Sequence, residues 1–284
     1  VDDWSRVLPN FAGATVNIRN FVRDGVKHKA LGMINTEWKD DSETLRSPAW
    51  HGYAWGAECA WNASSTTPED FNRRLGAVLF GEKDHHFGQA IALLTKAHAL
   101  PLGPANWMGG VSNARFWQND FVPTTGEAAA AALADKLLAL VRPAICHLEA
   151  CKKDAAVNAD LLDAFLLGAR RMELIGQRML DGLQAAHAYA EAVQAAGKDE
   201  KRAKLAKAEQ LVRRNRDAHE TLGKEFARIW SGESKPYALD RTMTRYANVV
   251  KWYDDLATRL ANARRQAEAG QPLPKPSELG LGLR

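Results

Sequence analysis

The stretch from Asn158 to Ala269 constrains this chain most, because helical periodicity runs through it with only two short breaks. Leu162, Phe165, Leu166, Ala169, Met172, Ile175, Met179 and Leu183 recur every three or four residues, the spacing that gathers side chains on one helical face. Asn158-Ala159-Asp160 opens this helix, which is expected to reach Ala196, where Gly197-Lys198-Asp199 turns the chain. The next helix, to about Trp230, carries Leu205, Ala208, Leu211, Val212, Leu222, Phe226 and Ile229 on its apolar stripe. A loop with Pro236 leads to a third helix from Leu239 to Ala269, stopped by Gly270, Pro272 and Pro274. Three long helices with short connections predict a mostly antiparallel bundle.

The preceding residues are helical too, with one interruption. Thr67-Pro68-Glu69-Asp70 is a helix start that predicts a helix to Phe80 before Gly81, and a second is expected from His86 to His98. Pro101 to Gly126 is rich in glycine, proline and tryptophan and reads as a long loop, in which Trp107 and Trp117 are expected to pack. Thr124-Thr125-Gly126-Glu127 begins a helix to about Cys151, which Pro143 should kink or divide.

A different pattern precedes residue 67. Ala30-Leu-Gly-Met-Ile-Asn-Thr-Glu-Trp-Lys-Asp-Asp41 reads as a short apolar strand ending in a tryptophan and three carboxylates. Pro9 to Val26 before it has helical spacing, and Ser47-Pro48 after it opens a helix through Trp61. Helix, strand, helix is one step of a β/α alternation, and its strand needs sheet partners for its backbone groups. In α/β barrels, binding residues sit just past the C-terminal ends of the strands. Trp38 offers a flat apolar face there, and Glu37, Asp40 and Asp41 offer hydrogen-bond acceptors, a set of contacts that suits a sugar ring.

Asn17-Ile18, Phe21, Ala30-Leu31-Gly32, Asn35-Thr36, Trp38, Asp40-Asp41, Glu43, Gly52, Gly56-Ala57 and Ala60-Trp61-Asn62 together resemble the end of the catalytic barrel of family 20 glycoside hydrolases, the β-N-acetylhexosaminidases of bacteria. Asp3-Trp4-Ser5 resembles the tryptophan-bearing end of the preceding strand. Lys39 and Ser42 depart from the pattern, each standing where glycine is usual. The resemblance implies an α-dominated chain in which residues 1–66 are the last β/α step of a TIM (β/α)8 barrel, with Ala30 to Thr36 as strand eight and Ser47 to Asn62 as the closing helix. Residues 67–284 then form the helical C-terminal domain, with its long loop near 101–126. It also implies substrate-assisted retaining hydrolysis of terminal β-linked N-acetylhexosamine, in which the 2-acetamido group is the nucleophile. The family's catalytic Asp-Glu pair belongs to strand four, which would precede Val1, so no catalytic residue is expected here and the remainder of the barrel is the expected partner. The implied substrate-binding residues are Trp38, Asp40, Asp41, Glu37 and Trp4. The alternative is a non-catalytic helical interaction module or carbohydrate-binding module.

Other chemistries find less support. The net charge of +4 is dispersed, and the basic helix from Lys198 to Lys224 has interspersed acids and no interleaved aromatics, so a nucleic-acid partner is not expected. No apolar run is long enough for a membrane span. Asp84-His85-His86 with Cys146-His147 and Cys151 lacks metal-ligand spacing, and neither a metal nor a cofactor is expected. Three cysteines define no disulfide framework, and the compartment stays open. Trp50, Trp55 and Trp61 are expected in the core.

Overall fold

The computed structural model describes all residues except 39–43, 63–64, 104–109, 119–120, 124–125 and 284. Lys39, Asp40, Asp41, Ser42, Glu43, Trp107 and the Thr124-Thr125 helix start therefore lie outside the described residues. The chain is α-dominated, with 74% helix and 1% strand. Its helices are α1 (Phe11–Lys27), α2 (Trp50–Asn62), α3 (Pro68–Phe80), α4 (His86–His98), α5 (Asn113–Phe116), α6 (Glu127–Asp154), α7 (Leu162–Gln194), α8 (Lys198–Glu233) and α9 (Leu239–Glu268).

Local chemistry sets the ends of these helices. Asn10 caps α1 by accepting from the Gly13 amide at 3.2 Å, and Thr67 caps α3 by accepting from the Asp70 amide at 3.1 Å. Gly81 ends α3 in the left-handed conformation, φ 70°, where a side chain would be strained. Pro143 does not divide α6, which is continuous from Glu127 to Asp154. The expected long loop contains the short helix α5 and an isolated bridge between Arg6 and Ser112.

Two compact units share the chain. The first comprises Val1–Phe116, Ala139–Glu173 and Phe226–Leu239. Its core is aromatic: Phe11 stacks on Phe165 at 6.4 Å, Phe87 meets Phe165 edge-on at 5.4 Å, and Trp55 meets Phe71 at 4.9 Å. Arg171 is buried with its guanidinium over the rings of Phe116 and Phe226. The second unit comprises Trp117–Leu138, Leu174–Glu225 and Asp240–Arg284. Phe121, Tyr189, Val212, Tyr253, Leu256 and Leu260 lie at its centre. The Asp181 carboxylate is buried there and is held by Arg214, by Asn215 at 2.6 Å and by Gln177 at 2.8 Å, which supplies the partners a buried charge requires.

Within the first unit, Ala30–Trp38 is not helical, and it belongs to no sheet among the described residues. From Met33 onward, however, exposure alternates with the two-residue period of a strand. Asn35 donates to the Gly52 carbonyl of α2 at 2.8 Å and Glu37 accepts from Tyr53 of α2 at 2.8 Å. A side chain at Gly56 would collide with Asn35 and press on Met33. Met33, Asn35 and Glu37 thus face α2, while Ile34, Thr36 and Trp38 are exposed. Gly52 and Gly56, one turn apart, allow this close approach, since a Cβ at Gly52 would collide with Val1.

Candidate functional site

Two short stretches and one helix assemble the region around Trp38. Val1 donates from its amino group to the Thr36 carbonyl at 2.6 Å, so the first residues run beside the end of the 30–38 segment. The Trp38 amide donates to Asp3 Oδ1 at 3.2 Å. The Thr44 hydroxyl donates to the Asp3 carbonyl at 3.3 Å. Helix α2 is fixed from its leading end by Glu233, whose carboxylate accepts from the Arg46 amide, from the Ser47 amide at 3.0 Å and from the Ser47 hydroxyl. A carboxylate there satisfies helix-terminal donors and complements the dipole.

The expected site residues divide as follows. Trp38 is 60% exposed, and its indole N–H donates to Thr36 Oγ1 at 3.2 Å. Trp4 is 49% exposed. Glu37 is half-buried and held by the Tyr53 hydroxyl. Asp40 and Asp41 lie outside the described residues.

Three participants had no site role in the sequence reading. Asp3 is 1% exposed; burial pushes its carboxyl up, the Trp38 amide opposes this, and Glu37's charge adds to it. Asp3 Oδ2 has no hydrogen-bond partner among the described residues. Tyr53 is pushed up to about 12 by burial and by its bond to Glu37, so it remains a donor. Trp50, expected in the core, is 46% exposed and meets Tyr53 edge-on at 6.0 Å. Trp61 is likewise not in the core, at 93% exposed, whereas Trp55 is buried. The reason is the buried stripe of α2, which runs through His51, Gly52, Trp55, Gly56 and Cys59 and leaves Trp50 and Trp61 on the other side. The pair Gly52 and Gly56 was the available signal, because Tyr53 borders the face that it marks.

The described residues present two exposed indoles, Trp38 and Trp4, while the carboxylates of Asp3 and Glu37 are turned to the Trp38 amide and to Tyr53. Two concavities of this unit lie elsewhere. One of about 540 Å³ lies among α1, α3 and α4, and another of about 550 Å³ lies beside Phe21, Leu31 and Ala60. Neither is lined by Trp4, Glu37 or Trp38. Among the described residues no group of three or more His, Cys, Asp or Glu side chains is arranged to hold a metal. No described helix is long and apolar enough to cross a membrane. No family model and no curated protein matches the chain.

Proposed function

We propose that this chain contributes the sugar-binding wall of a glycoside hydrolase acting on terminal β-linked N-acetylhexosamine, with residues 30–36 as the last strand of its (β/α)8 barrel. The strand-like register of Met33, Asn35 and Glu37 against α2 supports this reading most directly. In a barrel, a strand packs one set of alternate side chains on its helix and turns the other set inward. Ile34, on the opposite face from Met33 and Asn35, is almost fully exposed, as an inward strand residue is before the rest of a barrel covers it. Trp38, Glu37 and Trp4 then stand past the strand ends, where a barrel binds its substrate.

In this role Trp38 stacks on the apolar face of the terminal sugar, with Trp4 as a second wall. Asp40 and Asp41 accept hydrogen bonds from its hydroxyls, while Glu37, which faces α2, anchors the strand end. Tyr53 holds Glu37 from behind. The acid and the acetamido-orienting carboxylate come from elsewhere in the barrel.

The test is an assay on a chromogenic N-acetylglucosaminide. The longest protein encoded in frame with this chain should hydrolyse it, and the chain alone should not. Hydrolysis by the isolated chain, or an encoded protein with no further barrel sequence, would overturn the reading. The second outcome would leave a carbohydrate-binding or interaction module.

A further inference from the structure

Helix α4 begins over a buried carboxylate. Glu82 accepts from the backbone amides of His86 and Phe87, both at 2.9 Å, which are the first amides of α4. Space for it comes from Gly76 on α3, where a Cβ would collide with Oε1. From α6, burial and the Glu82 charge push the Cys151 thiol far above its ordinary range. One turn earlier on α6 stands His147.

His86 and His147 meet at half-buried positions, with Nδ1 atoms 3.1 Å apart, ring centroids 5.4 Å apart and planes inclined by 34°. The centroid separation exceeds the nitrogen separation by about two ring radii, so the nitrogens point at each other. Such a bond needs one N–H donor and one bare acceptor, so at least one ring is neutral while it lasts.

We propose that the His86–His147 pair is a proton-operated latch that holds the first turn of α4 against α6 and opens when both rings are protonated. The first added proton leaves the N–H···N bond in place and makes it charge-assisted, with Glu82 as the nearby counter-charge. The second removes the acceptor and sets two cations against each other. His147 is held below its ordinary value by burial and then by His86, with Glu82 opposing, which puts the second protonation on the acid side of the usual histidine range. The groups around the pair are Glu82 beneath it, Cys151 and Asp154 along α6, and the exposed Lys83, Asp84 and His85 of the turn before α4. The Lys83 amide donates to Asp154 at 3.0 Å, a second tie between this turn and α6. His85, Gly88 and Gln89 border the groove among α1, α3 and α4, so opening the latch alters the mouth of that groove.

Hydrogen exchange on the whole protein tests this, with rates corrected for the intrinsic effect of pH. Between about pH 7.5 and about pH 5, protection of the His86 and Phe87 amides should fall by about tenfold relative to Ile91 and Leu94 in the same helix. His147→Asn keeps a side-chain nitrogen or oxygen near the Nδ1 position but does not titrate, so its protection should lose this pH dependence. Equal loss at Ile91 and Leu94, or unchanged pH dependence in His147→Asn, would overturn the latch. If that variant fails to fold, a ring-nitrogen NMR titration of the unaltered protein decides. Coupled two-step curves for both histidines are expected, and two independent single steps would overturn it.

Discussion

Tyr53 reaches from α2 to Glu37 and donates its hydroxyl hydrogen across 2.8 Å, tying the helix to the end of the 30–38 segment. The bond joins a neutral donor to a carboxylate at a half-buried position. Tyr53→Phe removes that donor without changing shape, and should lower stability by about 1–2 kcal/mol. Urea unfolding measures this, and a change below a few tenths of a kcal/mol would mean that solvent replaces the bond.

Two buried histidines make acid conditions costly. His51 is pushed down to about 4 and His98 to about 3, both mainly by burial. His51 Nε2 pairs with Asn72 Oδ1 at 2.7 Å, and His98 Nδ1 accepts from the Val111 amide at 3.1 Å. Both rings are neutral in the folded protein above these values, whereas the unfolded chain takes up protons below the ordinary 6.5. Their contribution is therefore complete above about pH 6.5 and declines as the pH falls toward 4, reaching about 2 kcal/mol lost per histidine at about pH 5. His98→Gln should flatten the pH dependence of unfolding free energy in this window, whatever it does to stability at neutral pH. An unchanged slope would show that His98 is already solvated.

Glycines in two of the long helices should respond in opposite ways to alanine. A Cβ at Gly182 would collide with the backbone carbonyl of Phe121, and backbone cannot move aside cheaply. Gly182→Ala should cost about 2 kcal/mol or more. Gly232 meets nothing within 4 Å, so Gly232→Ala should stabilise by about 0.5 kcal/mol through helix propensity. Thermal unfolding of the two variants side by side tests the contrast, and a matching sign would contradict it.

Trp38 and Trp55 should separate function from folding. Trp38→Ala removes an exposed ring and should leave the unfolding midpoint nearly unchanged, while turnover of the N-acetylglucosaminide by the longer encoded protein falls at least about tenfold. Trp55 is buried against Phe71, lies under Arg19 at 4.8 Å and donates to the Thr15 carbonyl at 2.9 Å. Trp55→Ala should cost about 3–5 kcal/mol. Unchanged kinetics in Trp38→Ala would remove that residue from the site.

The long helices were legible because their signal is local. Apolar residues on one face, with Gly197, Gly270 and the prolines at the breaks, place α7, α8 and α9 within a few residues of expectation. The division expected at Pro143 does not occur, because a helix tolerates the loss of one donor. Trp50 and Trp61 misled because composition alone does not say which face of α2 is buried. The Trp38 region was legible as a cluster of residue types. Its supports were not, because Asp3 and Tyr53 join it through contacts spanning 35 and 16 residues. His86 and His147, 61 residues apart, were grouped by sequence only as a metal set without the right spacing, and their direct contact needed the fold.

Glu233 carries a consequence for how the chain reaches its fold. Its carboxylate closes on Ser47 from 186 residues away, and the first unit takes in Phe226–Leu239 only after long stretches of the second have passed. During synthesis, the leading end of α2 must wait without this carboxylate until α8 is nearly complete. Assembly of the first unit is thus set by late, distant pairing, the kind of topology that folds slowly. A ribosome-bound chain ending before Glu233 should hold α2 less firmly than the released protein does.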